Sequence, residues 1–564
     1  MTHVVTLNSG LDGVTLPNGQ RYSGGSVVTL SDAEYSTIDA AAKSALFASD
    51  VSLSGSGSSF QPWQFYVGAA AYGAKGDGKL VTDGVMSSSS NQTHLACATS
   101  TPFANAAAGM PVHVGGAHGS AYTPLCTTIS TVTDSGHVVL AGSATSTVSS
   151  GIVYFGTDDT AAIQAAVNAA VTYAQAHDGY AEVLFDPVMY IIGGAPVLGG
   201  TPETNAQITL PIIATTAQKV TLVFRGTREQ AGLNHWQQTV PQANGTVLAC
   251  ARNDGTNDGT YGPSFVVGGP YYGYGGSTSV FTNLLPVVDG VGIMVPYNGT
   301  YGGWGFLGCG EASLPDFSVM AAGVPPASSS VPKMSDYNNI SNQFPVGVMM
   351  PDVNNNDFCY LGRGSVEGLF IGAVLSEHSW FDSLQIIYCL VGAQIGSQNG
   401  VAMPHSLGGN HMSIEACSSG IVGLGSSSNV LIARIDGENL GTAIYDPHNY
   451  LAGQIGVTSN GSASYGGVGV NGGANLRVID LHQNPGPVSS PQAAPATTVA
   501  WPNEYYRDAE ITLSVSGGTL SALKTDAVSE ILPASCTLYK FTVPAGHSYT
   551  PTYTGTLTHT VKLS

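Results

Sequence analysis

The sequence predicts a mainly β protein built around a β-solenoid, with smaller β units attached to it. Three observations carry this. Only 9% of the 564 residues are charged, 43% are hydrophobic and 73 are Gly, a composition that suits strands and turns better than helices. From residue 181 to about 480 no helical period appears, while short β-rich runs recur. Within that region three segments align: IIYCLVGAQIG (386–396), IEACSSGIVGLG (414–425) and IDGENLGTAIYD (435–446). In each, Ile386, Ile414 or Ile435 is followed after three residues by Cys389, Cys417 or Glu438, and after three more by Gly392, Gly420 or Gly441. SVEGLFIGAVLSEHS, just upstream, fits the same frame less well. A repeat of roughly 20–30 residues with short strands and no helix indicates a solenoid, and no leucine-rich frame is present.

The elements follow in chain order. Residues 1–60 read as a separate unit. Asn18-Gly19 between β-rich flanks signals a hairpin, Ser31 and Glu34 have capping-box spacing before an Ala-rich helix running to Phe47, and SLSGSGSSF reads as a linker. AYGAKGDGK (71–79) breaks off and resumes at 157–170 as TDDTAAIQAAVNAA, where Thr157 or Asp158 caps a helix with Ile163 and Val167 on one face. The intervening 81–156 holds short β runs separated by turn residues, a small barrel or sandwich inserted in the phrase; loop closure entropy makes such an insertion inexpensive. AEVLFDPVMYII reads as strand, Pro-containing turn, strand. The solenoid, 61–80 and 157–482, ends at a Pro/Ala/Ser linker, 483–500. Residues 501–564 alternate as a small antiparallel sandwich.

Charge and cysteine usage narrow the function. Sixteen Lys and Arg stand against 36 Asp and Glu, a formal net charge of −20, with no basic run, so neither nucleic acid nor an anionic membrane is an expected partner. Polyanionic sugars would be repelled as well unless a cation intervened. Eight scattered Cys without CxxC spacing read as buried free thiols made in a reducing cytoplasm. The N-terminus has no signal-peptide pattern and no apolar run approaches a membrane span. Work outside the cell would therefore require another exit, such as lysis.

Ala71 to Ile192, with the insertion removed, resembles the opening of the pectate-lyase-like (glycoside hydrolase 28-like) parallel β-helix family. Tyr72, Gly73, Gly76, Asp77, Gly78, Asp158, Asp159, Thr160, Ile163 and Gln164 match its YGAxGDGxxDDTxAIQ stretch, while FDPVMYII lacks the Gly of the family's FPxGxYxI turn. The insertion, PDVNNNDFCYLGRGSVEGLFIG (351–372) and the C-terminal sandwich resemble virion proteins of tailed bacteriophages, tailspikes and fibres. The resemblance implies a right-handed parallel β-helix, a homotrimer, a location on the particle, and either a structural spike contacting host surface polysaccharide, a depolymerase of the same fold, or a capsid decoration fibre. Residues 1–60 would then join the spike to other virion proteins.

Candidate sites are few. In the solenoid frame Met412 and Ile414 point inward and His411, Ser413 and Glu415 outward; on the next rung Ala433 and Ile435 point inward and Ile432, Arg434 and Asp436 outward. Glu415 and Asp436 would then stack at a rung spacing of ~4.8 Å. Carboxylates about 5 Å apart suit a retaining glycosidase, with Arg434 keeping one ionised; chance stacking of surface carboxylates is the other reading. Asp352, Asn354, Asn356 and Asp357 begin like a calcium loop but lack the Gly and Glu of an EF-hand, so Ca²⁺ competes with a plain Asn-rich turn. No cofactor motif is present: GDGK is not a Walker loop, and its Gly and Asp suit a turn and a cap. Aromatics at 270–281 and 301–306 suit either sugar stacking or packing.

Overall fold

The computed structural model describes residues 2–7, 14–17, 21–22, 27–38, 42–43, 46–53, 61–119, 123–194, 206–214, 216–227, 233–234, 242–243, 245–253, 264–269, 282–306, 308–322, 345–351, 358–396, 406–423, 427–438, 440, 442–446, 449–460, 470–472, 475–480, 495–502, 509–525, 528–530, 532, 536–543 and 547–563. The motif at Asp352, Asn354, Asn356 and Asp357, the aromatic stretch 270–281 and most of the 483–500 linker lie outside them.

The solenoid is a parallel β-helix. Each coil lays one strand in a 13-stranded sheet and one shorter strand in a 9-stranded sheet; Cys359–Glu367, Ile371–Leu375, Ser379–Ile387 and Val391–Ile395 are two successive coils. Every neighbouring pair along both sheets is parallel, for example Val366↔Ile386↔Ile414 in the long sheet and Ala373↔Ala393↔Ile421 in the short one. Inward side chains of the long strands form columns, such as Phe317, Gly364, Leu384, Met412, Ile435 and Val457, and these join one continuous core.

The recurring glycines have a packing cause. Gly347, Gly372, Gly392 and Gly420 occupy one column of the short sheet, and the branched side chains of Val366, Ile386 and Ile414 press against three of them from the long sheet. A Cβ at Gly372 would stand 2.5 Å from the Gly392 carbonyl and 2.5 Å from Ile386 Cγ2. Such a column keeps the coil thin while β-branched residues fill it.

The register corrects the expected repeat in two places. The 366–372 segment, with Val366, Leu369 and Gly372, fits the frame of Ile386, Cys389 and Gly392 fully. The third rung slides by two residues: Ile414 pairs with Gly437, not Ile435, and Glu415 pairs with Glu438. Leu440 fills the space over Gly437, its Cδ1 lying where a Cβ there would come within 2.8 Å. The inward and outward assignment also changes, since Ile432 is fully buried whereas Ala433 is exposed. A bulge between Ile432 and Ile435 lets both isoleucines face the core.

The split phrase is closed by carboxylates. The helix Thr160–Ala176 buries Ile163, Val167, Ala170 and Val171 against the first coils. Asp77 accepts the Thr157 amide and hydroxyl, both at 2.8 Å. Asp159, 1% exposed, accepts the Lys75 and Gly76 amides at 2.6 and 3.0 Å, while Asp158 accepts the amide and hydroxyl of Thr160. Gly76 needs its φ of +55° and the absence of a side chain beside Val188. Gln164 pairs its carboxamide with the Thr209 amide and carbonyl, as a strand residue would.

Between the two halves stands a closed barrel of Lys79–Met86, His94–Ala96, Pro111–Val114, Leu125–Asp134, His137–Leu140 and Val148–Phe155. Its first and last strands pair with each other, Lys79 opposite Phe155 and Leu80 opposite Tyr154, so chain enters and leaves at one point. The C-terminal unit is a sandwich: one sheet centres on Ala509–Ser516, the other on Leu520–Thr525 and Ser548–Tyr553, around Ile511, Leu513, Leu523 and Tyr549.

In the N-terminal segment, Thr2–Leu7 pairs antiparallel with both Val27–Ser31 and Phe47–Leu53, and Val14–Thr15 faces Arg21–Tyr22 as a hairpin. The helix expected to run through Phe47 is interrupted: Asp32–Ser36 ends where the Thr37 and Ile38 amides bond back to the Glu34 and Tyr35 carbonyls, helical backbone recurs at Ala42, Lys43 and Leu46, and Phe47 belongs to a strand. All eight cysteines are free thiols, seven of them buried. Among the described residues no helix is long and apolar enough to cross a membrane.

Candidate functional site

The outer face of the long sheet holds the expected site residues, in an arrangement the sequence did not predict. Glu415 and Asp436 are not rung neighbours: Asp436 lies opposite Ser413 and Glu415 opposite Glu438. Asp436 is instead held by three donors. Arg434 Nε reaches Oδ1 at 2.7 Å, His411 Nε2 lies 2.9 Å from Oδ2, and the Thr458 hydroxyl closes on Oδ1. Burial alone would raise the Asp436 carboxyl, but Arg434, Thr458 and His411 together bring it below the usual carboxylate range. Arg434 thus keeps Asp436 ionised, which disqualifies it as a proton donor.

Glu415 has the opposite environment. Partial burial, then repulsion from Glu438 and Glu367, pushes its carboxyl up to about 7. Glu367 and Glu438 belong to the same column of the sheet, Glu367↔Ile387↔Glu415↔Glu438. The Tyr388 hydroxyl beside them is raised by burial and by the three carboxylates. A carboxyl protonated near neutrality stands one rung, ~4.8 Å along the sheet, from an exposed carboxylate, a register that suits an acid beside a nucleophile.

Two further groupings share this face, and neither was found by sequence reasoning. Arg225, Asp289, Asp316, Arg363, Ser383, His411 and Arg434 follow one another rung by rung. Arg225 bonds Asp289 at 2.7 Å and Glu182 at 3.1 Å, and Arg363 bonds Asp316 at 3.2 Å. Burial would raise Glu182, but Tyr180, Gln64 and Arg225 hold it below its ordinary range. The second grouping is an aromatic ledge. Tyr360 and Trp380 occupy adjacent rungs above Gly408, and Phe358 beside them is 63% exposed. Asp382 accepts the Tyr360 hydroxyl, Trp380 Nε1 at 3.3 Å and Asn410 Nδ2 at 3.1 Å. Two rings tied at their edges to one carboxylate, itself held by an amide, offer stacking area with polar groups beside it.

The 301–306 aromatics pack rather than offer a sugar-stacking surface, the second of the two alternatives their sequence left open. Tyr301, Trp304 and Phe306 are fully buried in the coil core, with Trp304 5.8 Å from Phe224 and 6.1 Å from Phe306. Among the described residues no group of three or more His, Cys, Asp and Glu is arranged to hold a metal ion.

No protein-family model matches this chain, and no curated protein does. The solved structures to which it is similar are bacteriophage tailspikes. The tailspike of Acinetobacter phage vB_ApiP_P1 is 7% identical, over 72% of this chain and 86% of that one, with a TM-score of 0.23. That of Acinetobacter baumannii phage AM24 is 10% identical over 80% and 87%, with a TM-score of 0.20. The enzymatically active domain of tailspike protein 2 from bacteriophage CBA120 is 10% identical over 78% and 79%, with a TM-score of 0.23. At these scores the fold assignment rests on the coil register, not on the likeness.

Proposed function

We propose that this protein is a bacteriophage virion spike, a homotrimer of parallel β-helices that displays the outer face of its long sheet to a host surface glycan. The observation that carries this reading is the ledge of Phe358, Tyr360 and Trp380 with Asp382 and Asn410. It sits on a rigid sheet whose rungs repeat at ~4.8 Å, a spacing comparable to one sugar unit of an extended chain. Aromatic faces supply contact area and the polar groups beside them supply orientation. A rigid scaffold pre-pays the ordering cost of binding. The N-terminal segment 1–60 serves as the attachment module to other virion proteins.

The test is adsorption competition with the purified full-length protein. It should bind host envelopes, lose that binding when the envelope glycan is oxidised with periodate, and slow adsorption of the intact phage. Phe358→Ala with Trp380→Ala should weaken binding at least tenfold, since stacked aromatics dominate such contacts. Light scattering should give three chains per particle. A protein that ignores the envelope, or a stable monomer at micromolar concentration, overturns the reading.

Glu415 favours a second reading, in which the spike also hydrolyses the glycan, with Glu415 as acid and Glu438 as nucleophile. The raised Glu415 carboxyl one rung from Glu438 supports it.

A further inference from the structure

A cavity of about 360 Å³ lies where the inserted barrel meets the first coils. One wall comes from the barrel, with Pro111, His118 and Leu125; the other comes from the helix cap and coil, with Asp158, Arg252 and Asn253. The two walls are packed firmly. A Cβ on Gly193 would come within 2.3 Å of the Pro111 ring, and Tyr154, stacked on His113 within the barrel at 4.2 Å, bonds the Cys250 carbonyl of the coil through its hydroxyl.

Two polar groups at its surface, Asp158 and Asn253, are half used. Asp158 spends Oδ1 on the Thr160 amide, the Thr160 hydroxyl and the Gly193 amide, and Oδ2 has no partner among the described residues. Asn253 spends Oδ1 on the Thr300 amide at 3.0 Å, and its Nδ2 has no partner among the described residues. Arg252 is steered by the Gly193 carbonyl at 3.4 Å. An acceptor fixed by its own second oxygen and a donor fixed by its own carbonyl are preorganised for a ligand hydroxyl, which can donate to one and accept from the other. Pro111 and Leu125, both buried, supply an apolar wall opposite.

We propose that this junction cavity binds one pyranose sugar residue. Adjacent hydroxyls meet Asp158 Oδ2 and Asn253 Nδ2, and the C–H face of the ring rests on Pro111 and Leu125. The volume lies within the range of small-ligand sites. This rests on the glycan-contact reading but places a second contact far from the aromatic ledge. It also gives the insertion a purpose, since neither the barrel nor the coil alone encloses the site.

The test is saturation-transfer NMR on the full-length protein with methyl glucoside, methyl galactoside, methyl mannoside and methyl glucuronide. At least one should bind. Thr128→Trp, which puts a large ring at the mouth from an exposed position, should abolish the signal without changing the melting temperature. Asn253→Asp keeps the acceptor for Thr300, removes the donor, and should weaken binding about tenfold. Sugars that bind equally to wild type and both variants overturn the cavity and leave the ledge reading standing. If no panel sugar binds while the protein still adheres to envelopes, the cavity assignment also falls. Failure of both sugar binding and adhesion overturns the two readings together.

Discussion

The carboxylate of Asp159 accepts the backbone amide of Lys75 at 2.6 Å across 84 residues of chain, with the whole barrel between them. This bond and its partner to Gly76 latch the two halves of the cap phrase. Asp159→Ala would strand two amides that lose their acceptor, at a cost of about 1–3 kcal/mol. Denaturant unfolding followed by the near-UV signal measures it. A variant as stable as wild type would mean that the barrel base alone holds the phrase closed.

Glu415 makes stability depend on pH. Its folded-state carboxyl sits at about 7, above the ordinary value of 4.5, first through burial and then through Glu438 and Glu367. The folded protein therefore binds a proton that the unfolded chain has already released. The stabilisation is fully present below pH 4.5 and is lost as pH rises through 7. Asp159, raised to about 6 mainly by burial, acts in the same direction, so the informative quantity is a difference. Glu415→Gln should gain melting temperature over wild type at pH 8 and show little gain at pH 4.5. A gain of equal size at both pH values would remove the titration of Glu415 as its cause.

The split phrase was legible because turn and cap chemistry is local: Gly76, Asp77 and Asp158 each act within a few residues of their own position or its continuation. Two solenoid rungs were legible because Ile, Cys and Gly recur at fixed spacing in the coils of Ile386 and Ile414. The third misled because Gly437 stands where the frame has Ile, while Ile435, Glu438 and Gly441 imitate the frame two residues too early. The bulge between Ile432 and Ile435 then reversed the facing of Ile432 and Ala433. The ladder from Arg225 to Arg363 was beyond reach, because its ion pairs join residues 64 and 47 positions apart. Only the coil lengths, set by loops of unequal size, bring them level.

The glycine column predicts a packing defect. A Cβ on Gly392 would lie 2.6 Å from the Gly420 carbonyl and 2.8 Å from Ile414 Cγ2. The carbonyl is part of the rung hydrogen bonding and cannot step aside. Gly392→Ala should cost about 1–3 kcal/mol through overpacking and lower the melting temperature by several degrees. Unchanged melting would show that the column has slack.

Hydrolysis, if the protein performs it, discriminates between two carboxylate pairs. Glu415 is protonated over much of the neutral range and Glu438 is exposed on the adjacent rung, which is the division of labour between an acid and a nucleophile. Asp436 is bound by Arg434, His411 and Thr458 and held ionised, so it cannot deliver a proton, and its oxygens already have partners. Purified envelope polysaccharide incubated with wild type should release reducing ends. Glu415→Gln and Glu438→Gln should each lower that rate by about 10²-fold or more, whereas Asp436→Asn should lower it only a few-fold. Release should also fall as pH rises above 7, where Glu415 loses its proton, and Glu415→Gln should leave no such limb in the profile. Loss of activity in Asp436→Asn alone would return the chemistry to the Arg434 network. No release by wild type would leave the three glutamates as a source of the pH-dependent stability and the ledge as a binding surface without hydrolysis.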